Sequence, residues 1–309
     1  MKFEQINERA KLDPHGFIME CEAEYHKKIT DAARKIATSA ETCPIVLLSG
    51  PSGSGKTTSS RKLERALEEF GIGTHSVSLD DYFNTVDEKT VPRTESGDVD
   101  YESPFCLDLD LLGEQIQSMI AGDEVLMPKF DFPNQCRMEQ RVPLRRRKNE
   151  VIIMEGIHAL NDLITKHAGE HGVKLYVSAR SCFNDKNGMM FKGTWVRLMR
   201  RLVRDNNFRG TTSEFTLGIW GTIREGEKKY ISPFKDRADI VINSTHPYEV
   251  NMIKKYAYPL VENIPQGVKR YKELCEIAPA LERFYDIDDA LVPEDSLLRE
   301  FIGGGNFNY

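Results

Sequence analysis

A glycine-rich loop carries the most specific chemistry in this sequence. Residues Gly50 to Thr57 read GPSGSGKT and match the pattern G-x-x-x-x-G-K-[ST]. In this pattern the glycines let backbone N–H groups face phosphate oxygens, and the following helix adds the positive end of its dipole. Lys56 is expected to reach the β and γ phosphates, and the Thr57 hydroxyl is expected to bind Mg²⁺. The loop therefore predicts ATP and Mg²⁺ as cofactors, held by Gly50, Pro51, Ser52, Gly53, Ser54, Gly55, Lys56, Thr57 and Thr58.

Two further segments place carboxylates at the ends of apolar runs. Asp80 and Asp81 follow one such run, and Glu155 follows the run Val151 to Met154. The carboxyl ends of parallel strands are where open α/β sheets bind ligands. A carboxylate at such a position can accept the proton of an attacking hydroxyl, and another can hold the metal. A loop or helix-cap role for Asp80 and Asp81, and an ordinary strand end for Glu155, remain alternatives.

A row of arginines lies in the segment WVRLMRRLVRDNNFRG. Arg197, Arg201 and Arg204 fall on one side of a predicted helix. One interpretation is a solvated basic helix face. The other is a lid whose guanidinium groups close over the phosphates, neutralise charge during transfer and exclude water.

The elements that position these residues follow from apolar patterning. A stripe from Ile18 to Ile36 predicts a helix over residues 16–40, and the run IVLLS leads into the loop and a helix over residues 57–70. Further strands are predicted at residues 77–79, 151–154, 175–178 and 240–242, and helices at residues 254–261 and 268–284. We predict an α/β fold, a doubly wound parallel sheet of the P-loop NTPase class, with a helical lid and helical N- and C-terminal extensions. The predicted division is an extension over residues 1–43, a core over 44–245 with the lid around 190–212, and an extension over 246–309.

Composition narrows the class of function. The net charge of -6 argues against a nucleic-acid partner, and no apolar run approaches the ~20 residues that span a bilayer. The start lacks signal-peptide features, so a cytoplasmic location without a membrane partner is expected. The six cysteines form no CxxC pair, so neither a zinc site nor a disulfide framework is indicated. The C-terminal helices are expected to pack on the core, with packing on a second subunit, as in a homo-oligomer, as the alternative.

Taken in order, the segments GPSGSGKTT, SLDDYF, PKFDF, VIIMEGIHAL, RLMRRLVRD and SPFKDRADIVINS resemble the uridine kinase and phosphoribulokinase family. The likeness is greatest to its bacterial uridine kinase-like nucleoside kinases, which often carry an N-terminal TGS domain that this sequence lacks. It extends over residues 25–309 and includes the ending SLLREFIGGGNF. The resemblance implies a nucleoside kinase-like fold and phosphorylation of the 5′-hydroxyl of a uridine- or cytidine-like nucleoside. It assigns Asp80 as the general base, Thr57 and Glu155 to Mg²⁺, and Lys56, Arg197, Arg201 and Arg204 to the phosphates; the acceptor pocket is assigned to Asp80, Phe83, Phe130, Phe132, Gln135 and Arg137.

Two features of the sequence depart from the uridine kinase pattern. Phe105 stands where the family has an acid for the ribose hydroxyls, and Phe130 and Gln135 replace a tyrosine and a histidine that read the pyrimidine. Glu102 or Asp108 is the candidate replacement for the missing acid. The alternatives are therefore a kinase of the same fold for another nucleoside or a sugar phosphate, and a nucleotide-binding regulatory protein that transfers nothing.

Overall fold

The computed structural model describes residues 1–95 and 97–307. Its helices are α1 Phe3–Leu12, α2 Pro14–Ser39, α3 Lys56–Glu69, α4 Leu109–Ala121, α5 Asp162–Ala168, α6 Gly193–Phe208, α7 Ser213–Gly226, α8 Glu249–Glu262, α9 Tyr271–Glu282 and α10 Arg299–Ile302. Its strands are β1 Ile45–Ser49, β2 Gly73–Ser78, β3 Glu124–Met127, β4 Phe130–Asp131, β5 Cys136–Arg137, β6 Val142–Arg145, β7 Glu150–Glu155, β8 Gly172–Ser178, β9 Phe183–Asp185, β10 Gly188–Phe191 and β11 Ile240–Asn243. Within the described ranges, no helix is long and apolar enough to cross a membrane.

A five-stranded parallel sheet in the order β11-β8-β1-β7-β2 forms the centre of the molecule. Along β1, Val46 and Leu48 join one apolar cluster, whereas Ile45 and Leu47 join the other. Alternate side chains of a strand point to opposite faces, so this division shows that the sheet is buried on both sides. The first cluster includes α2, α3, α6 and α8, and the second includes α4 and α5. The predicted α/β, doubly wound fold is confirmed.

The predicted helix before the sheet is also confirmed. Asp13 accepts a hydrogen bond from the Gly16 N–H and Pro14 occupies the first helical turn, which explains why α2 begins there. The stripe from Ile18 to Ile36 is buried against the sheet. Each predicted strand is present: the first has the predicted bounds, the strand predicted at 77–79 begins earlier and ends at Ser78, and the other three are longer than predicted. Gly71, with φ of +74°, follows the end of α3 as expected.

Helix α6 differs from the lid that the sequence suggested. Its apolar side chains, among them Trp195, Leu198 and Leu202, are buried in the first apolar cluster. The helix also supports the phosphate loop, because a Cβ added to Gly53 would lie 2.8 Å from the Arg197 carbonyl oxygen. In this structure α6 is a core helix, and lid motion stays a prediction.

The C-terminal chain returns to the phosphate loop after α9. Ile253 of α8 is buried in the first apolar cluster, as expected if this helix packs on the core. The side chain of Leu297 then lies against Gly55, where an added Cβ would be 2.5 Å from the leucine Cδ1. The sequence suggested a glycine-rich tail here, whereas the structure places residues 294–307 beside the start of α3.

Candidate functional site

Strand register brings the two acidic segments to one edge of the sheet. Ser78 at the end of β2 pairs with Glu155 at the end of β7. A 3₁₀ turn, Leu79–Tyr82, follows β2 and places Asp80 at the same edge. Gly156 is needed for this approach, because a Cβ there would lie 2.6 Å from the Leu79 Cβ. Asp80 and Glu155 therefore face one cavity.

The phosphate loop lies between β1 and α3, as predicted. Gly53 and Gly55 adopt positive φ values of +71° and +82°, a region that favours glycine. The Lys56 ammonium lies 3.8 Å from Glu155 Oε1 at the mouth of the loop. The loop thus presents backbone N–H groups, a cation and a helix N-terminus to one point, which suits a phosphate chain.

Thr57 and Glu155 provide a donor set that fits Mg²⁺. The Thr57 hydroxyl donates to Glu155 Oε2 across 3.5 Å. Burial raises the pKa of the Glu155 carboxyl to about 7; Lys56 opposes this rise and Asp80 adds to it. Among the described residues no cluster of three or more His, Cys, Asp or Glu could hold a metal by itself. Magnesium commonly binds through one or two protein oxygens together with phosphate and water, so this small set is sufficient.

Asp80 lines the cavity and is exposed there. Enclosure by the protein raises the pKa of its carboxyl, Lys56 lowers it, and Asp81 raises it again. The neighbouring Asp81 points elsewhere and forms an ion pair with Lys129. The two adjacent acids are therefore separated in role, and Asp80 is the one that can reach a ligand. A carboxyl with a raised pKa is better suited to accepting a proton than an ordinary aspartate is.

A cavity of about 250 Å³ joins these groups. Its walls include the phosphate loop, Asp80, Glu155 and Glu102. Burial raises the pKa of the Glu102 carboxyl to about 7, against the influence of Arg201 and Lys56. Gly226 allows Glu102 to take this position, because a Cβ on Gly226 would lie 2.3 Å from the Glu102 Cβ. The position where the family has an acid, Phe105, is 61% exposed.

Of the two candidate replacement acids, only Glu102 lines the cavity. Asp108 instead binds Arg137 at 2.7 Å and caps α4 through the Leu111 N–H. Sequence reasoning left the choice open because both acids lie in the irregular segment before α4.

Aromatic side chains form one part of the cavity wall, which we call its aromatic end. Phe83 and Phe132 line it together with Tyr101, whereas Phe130 does not line it and packs against both phenylalanine rings. The ring centroids of Phe83 and Phe130 are 5.6 Å apart, and those of Phe130 and Phe132 are 5.1 Å apart. These distances are typical of favourable aromatic pairs. The predicted phenylalanines are thus together, with Phe130 as a supporting ring.

Besides Phe130, two more residues predicted for the acceptor pocket do not line the cavity. Gln135 is exposed in a turn with φ of +52°, and its carbonyl accepts from the Val86 N–H. Arg137 donates to the carbonyls of Tyr82 and Phe83 and to Asp108, so it holds the Phe83 segment from behind. The turn geometry and the carboxylate partner explain both displacements, and neither was visible in the sequence pattern.

The arginine row divides in the structure. Arg201 and Arg204 line the cavity, whereas Arg197 does not. Arg197 is 2% exposed, pairs with Glu227 at 2.7 Å and donates to the Ser52 carbonyl. Its carboxylate partner holds it under the loop, which corrects the prediction that it faces the phosphates.

The cavity also has wall residues that were not among the predicted site residues, among them Tyr101, Arg209 and Glu300. Asp205, which is buried, lies 3.1 Å from Arg201, 2.7 Å from Arg204 and 3.7 Å from Arg209, and so holds these arginines in place. The spacing from Arg201 to Asp205 is the i,i+4 spacing of a helical ion pair, a signal that the sequence did offer. Glu300 had no such local signal.

Comparison with known proteins shows which family this chain is related to. The model of the phosphoribulokinase/uridine kinase family matches residues 45–251. The chain belongs to this family. A uridine kinase from Staphylococcus haemolyticus (strain JCSC1435) is 31% identical over 201 residues, which cover 64% of this chain and 86% of that protein. A uridine kinase from Staphylococcus aureus (strain JH9) is 30% identical with the same coverage. The solved structure of a possible uridine kinase from Bacillus stearothermophilus covers 71% of this chain and 99% of its own, with 17% identity and a TM-score of 0.46.

Membership of the phosphoribulokinase/uridine kinase family and the observed fold identify a P-loop kinase, whose class uses ATP and Mg²⁺. The family match ends at residue 251, so Arg201, Arg204 and Arg209 lie within it and Glu300 lies outside it. The site thus includes residues inside the family match and one residue, Glu300, beyond it.

Proposed function

We propose that this kinase transfers the γ-phosphoryl group of ATP to the 5′-hydroxyl of a ribonucleoside, with uridine and cytidine as the first candidates. One observation supports this most strongly. A single cavity joins the phosphate loop, the carboxylates of Asp80 and Glu155, three arginines and an aromatic end that carries Glu102.

In the proposed reaction Asp80 orients the acceptor hydroxyl and accepts its proton as the oxygen attacks phosphorus. Lys56, Arg201 and Arg204 offset the negative charge of the phosphates. Thr57 and Glu155 would hold Mg²⁺, which neutralises phosphate charge when bound. Phe83, Phe132 and Tyr101 exclude water from the acceptor end, which favours transfer to the hydroxyl over hydrolysis.

The acceptor end favours a neutral polyol over a sugar phosphate. Asp80 and Glu102 are both carboxylates, and both would repel an anionic acceptor at close range. A carboxylate can instead accept hydrogen bonds from the two hydroxyls of a ribose. Glu102 is therefore proposed to take the part of the acid that Phe105 replaces, and a ribonucleoside is proposed to be preferred over a deoxynucleoside.

The test is ADP release with Mg-ATP against a panel of ribonucleosides, deoxynucleosides and pentose phosphates. We expect release that depends on a ribonucleoside. Preference for a pentose phosphate would instead support the alternative, a kinase of the same fold that acts on a sugar phosphate. Absence of acceptor-dependent ADP with every compound would overturn the kinase assignment in favour of a regulatory nucleotide-binding protein.

The adjacent acids Asp80 and Asp81 provide a matched pair of variants that test the mechanism. Asp80→Asn should retain ATP binding and lose transfer by roughly 100-fold or more, the scale of a general base. Asp81→Asn should retain most turnover, because Asp81 pairs with Lys129 outside the cavity. Lys56→Ala should lose transfer and also bind ATP more weakly. An Asp80→Asn enzyme with near-full turnover would remove Asp80 from this role.

A further inference from the structure

A cavity at the carboxyl end of β8 takes no part in the proposed reaction. Its volume is about 610 Å³, and its walls come from the end of β8, the start of α6, the end of α7 and the 3₁₀ helix Ser232–Arg237. We call it the basic cavity, and we call the cavity that joins the phosphate loop to Asp80 and Glu155 the phosphate cavity. Among the described residues the two have no wall residue in common. A ligand in the basic cavity is therefore separate from the transferred phosphate and from the acceptor.

Positive charge dominates the walls of the basic cavity. Five cationic side chains line it: Arg180, Lys192, Arg197, Arg224 and Lys235. Glu227 is the one acid among its described wall residues, and it pairs with Arg197 at 2.7 Å and with Arg224. Within the same described residues, the side chains of Arg180, Lys192 and Lys235 form no ion pair. Three unbalanced cations thus face one cavity in a chain whose net charge is -6, and such a local positive field attracts anions.

Aromatic rings hold two of these cations in place without neutralising them. The Arg180 guanidinium carbon lies 5.3 Å from the centroid of the Tyr176 ring, and the Lys192 ammonium lies 4.6 Å from that of the Trp195 ring. Both rings are buried, so their positions are fixed by the core. The face of an aromatic ring attracts a cation but carries no net charge. The two cations are therefore positioned and still available to an anionic ligand.

The backbone around the cavity is also fixed by specific contacts. The Arg180 N–H donates to the Asn243 side-chain oxygen at 3.2 Å, and the Asn243 amide donates to the Ser181 hydroxyl at 2.8 Å. Gly193 lets α6 begin directly against this loop, because an added Cβ would lie 3.0 Å from the Ser181 carbonyl oxygen. Gly193 and Thr194 line the cavity, and the first N–H groups of a helix have no acceptor within it. These groups add hydrogen-bond donors to a cavity that is already positive.

We propose that the basic cavity binds a diphosphate group, held by Arg180, Lys192 and Lys235. One phosphate monoester carries about -1.5 to -2 charges at pH 7, so it balances fewer than three cations, whereas two adjacent phosphates match them. The basic cavity is larger than the phosphate cavity, so it has room for an organic group attached to the diphosphate. The inference does not rest on the proposed function, since it concerns a separate cavity.

The experiment measures binding of radiolabelled inorganic pyrophosphate to the full chain by equilibrium dialysis. Saturating Mg-AMP-PNP, an ATP analogue that is not hydrolysed, is present to occupy the phosphate loop. We expect pyrophosphate to bind alongside the analogue. Replacing Arg180, Lys192 and Lys235 together by Gln should raise the pyrophosphate dissociation constant about tenfold or more, because charge-assisted hydrogen bonds to phosphate are lost.

A matched variant controls for the change in overall charge. Replacing Lys27, Arg34 and Lys35 together by Gln removes the same charge from exposed positions of α2 outside the basic cavity. This variant should leave the pyrophosphate constant unchanged. Arg180→Gln alone, at an exposed side chain, should raise the constant about threefold, which keeps the test valid if the triple variant does not fold.

Competition with unlabelled compounds defines the ligand. Inorganic phosphate should displace the label only at a concentration about tenfold or more above that of pyrophosphate, and equal potency would overturn the diphosphate assignment. Displacement by ADP-ribose at a lower concentration than pyrophosphate supports an organic diphosphate as the ligand, and the reverse order supports free pyrophosphate. Absence of pyrophosphate binding beside Mg-AMP-PNP, equal affinity of the basic-cavity variants and the unchanged chain, or an equal loss in both triple variants would overturn the inference. None of these results bears on the proposed function, which is tested by ADP release.

Discussion

The arginines of helix α6 form two sets that share a helix and differ in their surroundings. Arg200 is fully buried and pairs at 2.7 Å with Glu249, which is also fully buried. It further donates to the carbonyls of Gly53 and Ser244. Arg201, the next residue, lines the phosphate cavity and donates to the Ser52 hydroxyl. One arginine thus fixes the loop from below, while its neighbour faces the ligand.

The difference teaches that a basic helix beside a phosphate loop need not be a single functional surface. Arg197 behaves like Arg200, because Glu227 pairs with it in the core. Arg204 behaves like Arg201, because it lines the cavity beside Asp205. A carboxylate from another element marks an arginine of the structural set, whereas those of the cavity set share a carboxylate of their own helix.

The largest expected effect is on the structural set. Arg200→Met leaves the Glu249 carboxylate buried without its partner, so we expect the free energy of unfolding to fall by roughly 3–5 kcal/mol. Urea denaturation measures this. Arg34→Met is the control, because Arg34 is an exposed arginine on α2 paired with Asp31, and its loss should change stability by less than about 1 kcal/mol. A loss at Arg200 as small as that at Arg34 would contradict the structural assignment.

The cavity set should show the opposite pattern. Arg201→Met removes a positive charge from the site of phosphoryl transfer, so we expect kcat/KM to fall by roughly 100-fold. The urea midpoint should move much less than in Arg200→Met, since Arg201 has no partner from another element except the Ser52 hydroxyl among the described residues. An Arg201→Met variant with unaltered turnover and a large loss of stability would show that Arg201 belongs to the structural set.

The sequence was sufficient where neighbours along the chain make the structure. The run Ile45–Ser49, the glycine loop and α3 are consecutive, so their order alone predicted a strand, a phosphate loop and a helix. Glu155 was predictable because it ends a wholly apolar run that becomes the buried strand β7. The Gly53 and Gly55 backbone conformations follow from residue type.

The sequence was insufficient where a distant partner decides a role. Arg197 and Glu227 are 30 residues apart, and Thr58 and Glu300 are 242 residues apart. Helical periodicity places Arg197 and Arg201 on one side of α6 but does not show which of them meets a carboxylate of another element. Glu102 lies in a segment without regular periodicity, so only the fold could place it opposite Gly226.

Arg201 also affects a neighbouring acid, which gives a pH test of the cavity set. Burial raises the pKa of Glu102 to about 7, and Arg201 lowers it. Glu102 therefore loses its proton as the pH rises through about 7, and the carboxylate accepts hydrogen bonds from acceptor hydroxyls. We expect the dissociation constant of the preferred ribonucleoside, measured without ATP or Mg²⁺, to fall by about tenfold from pH 6 to pH 8.

Two variants check this assignment. Glu102→Gln should flatten the profile, and Arg201→Met should move its midpoint to higher pH because a group that lowers the Glu102 pKa is gone. A profile that keeps its midpoint in Glu102→Gln would show that another group titrates.

The smallest effect concerns Glu300, which brings a negative charge to the same cavity as Arg204. Its carboxylate occupies N–H and O–H donors of Thr58 in the first turn of α3, where an anion is favoured by the helix dipole. Glu300→Gln keeps the shape and an accepting oxygen but removes the repulsion between the carboxylate and a polyphosphate. We expect the dissociation constant for Mg-tripolyphosphate to fall by about two- to fivefold at low salt and by less at high salt, because ions screen the interaction. Asp295→Asn, a change on the same segment facing Lys62 outside the phosphate cavity, should leave that constant unchanged; weaker binding by Glu300→Gln would instead mean that the carboxylate chiefly holds the segment in place.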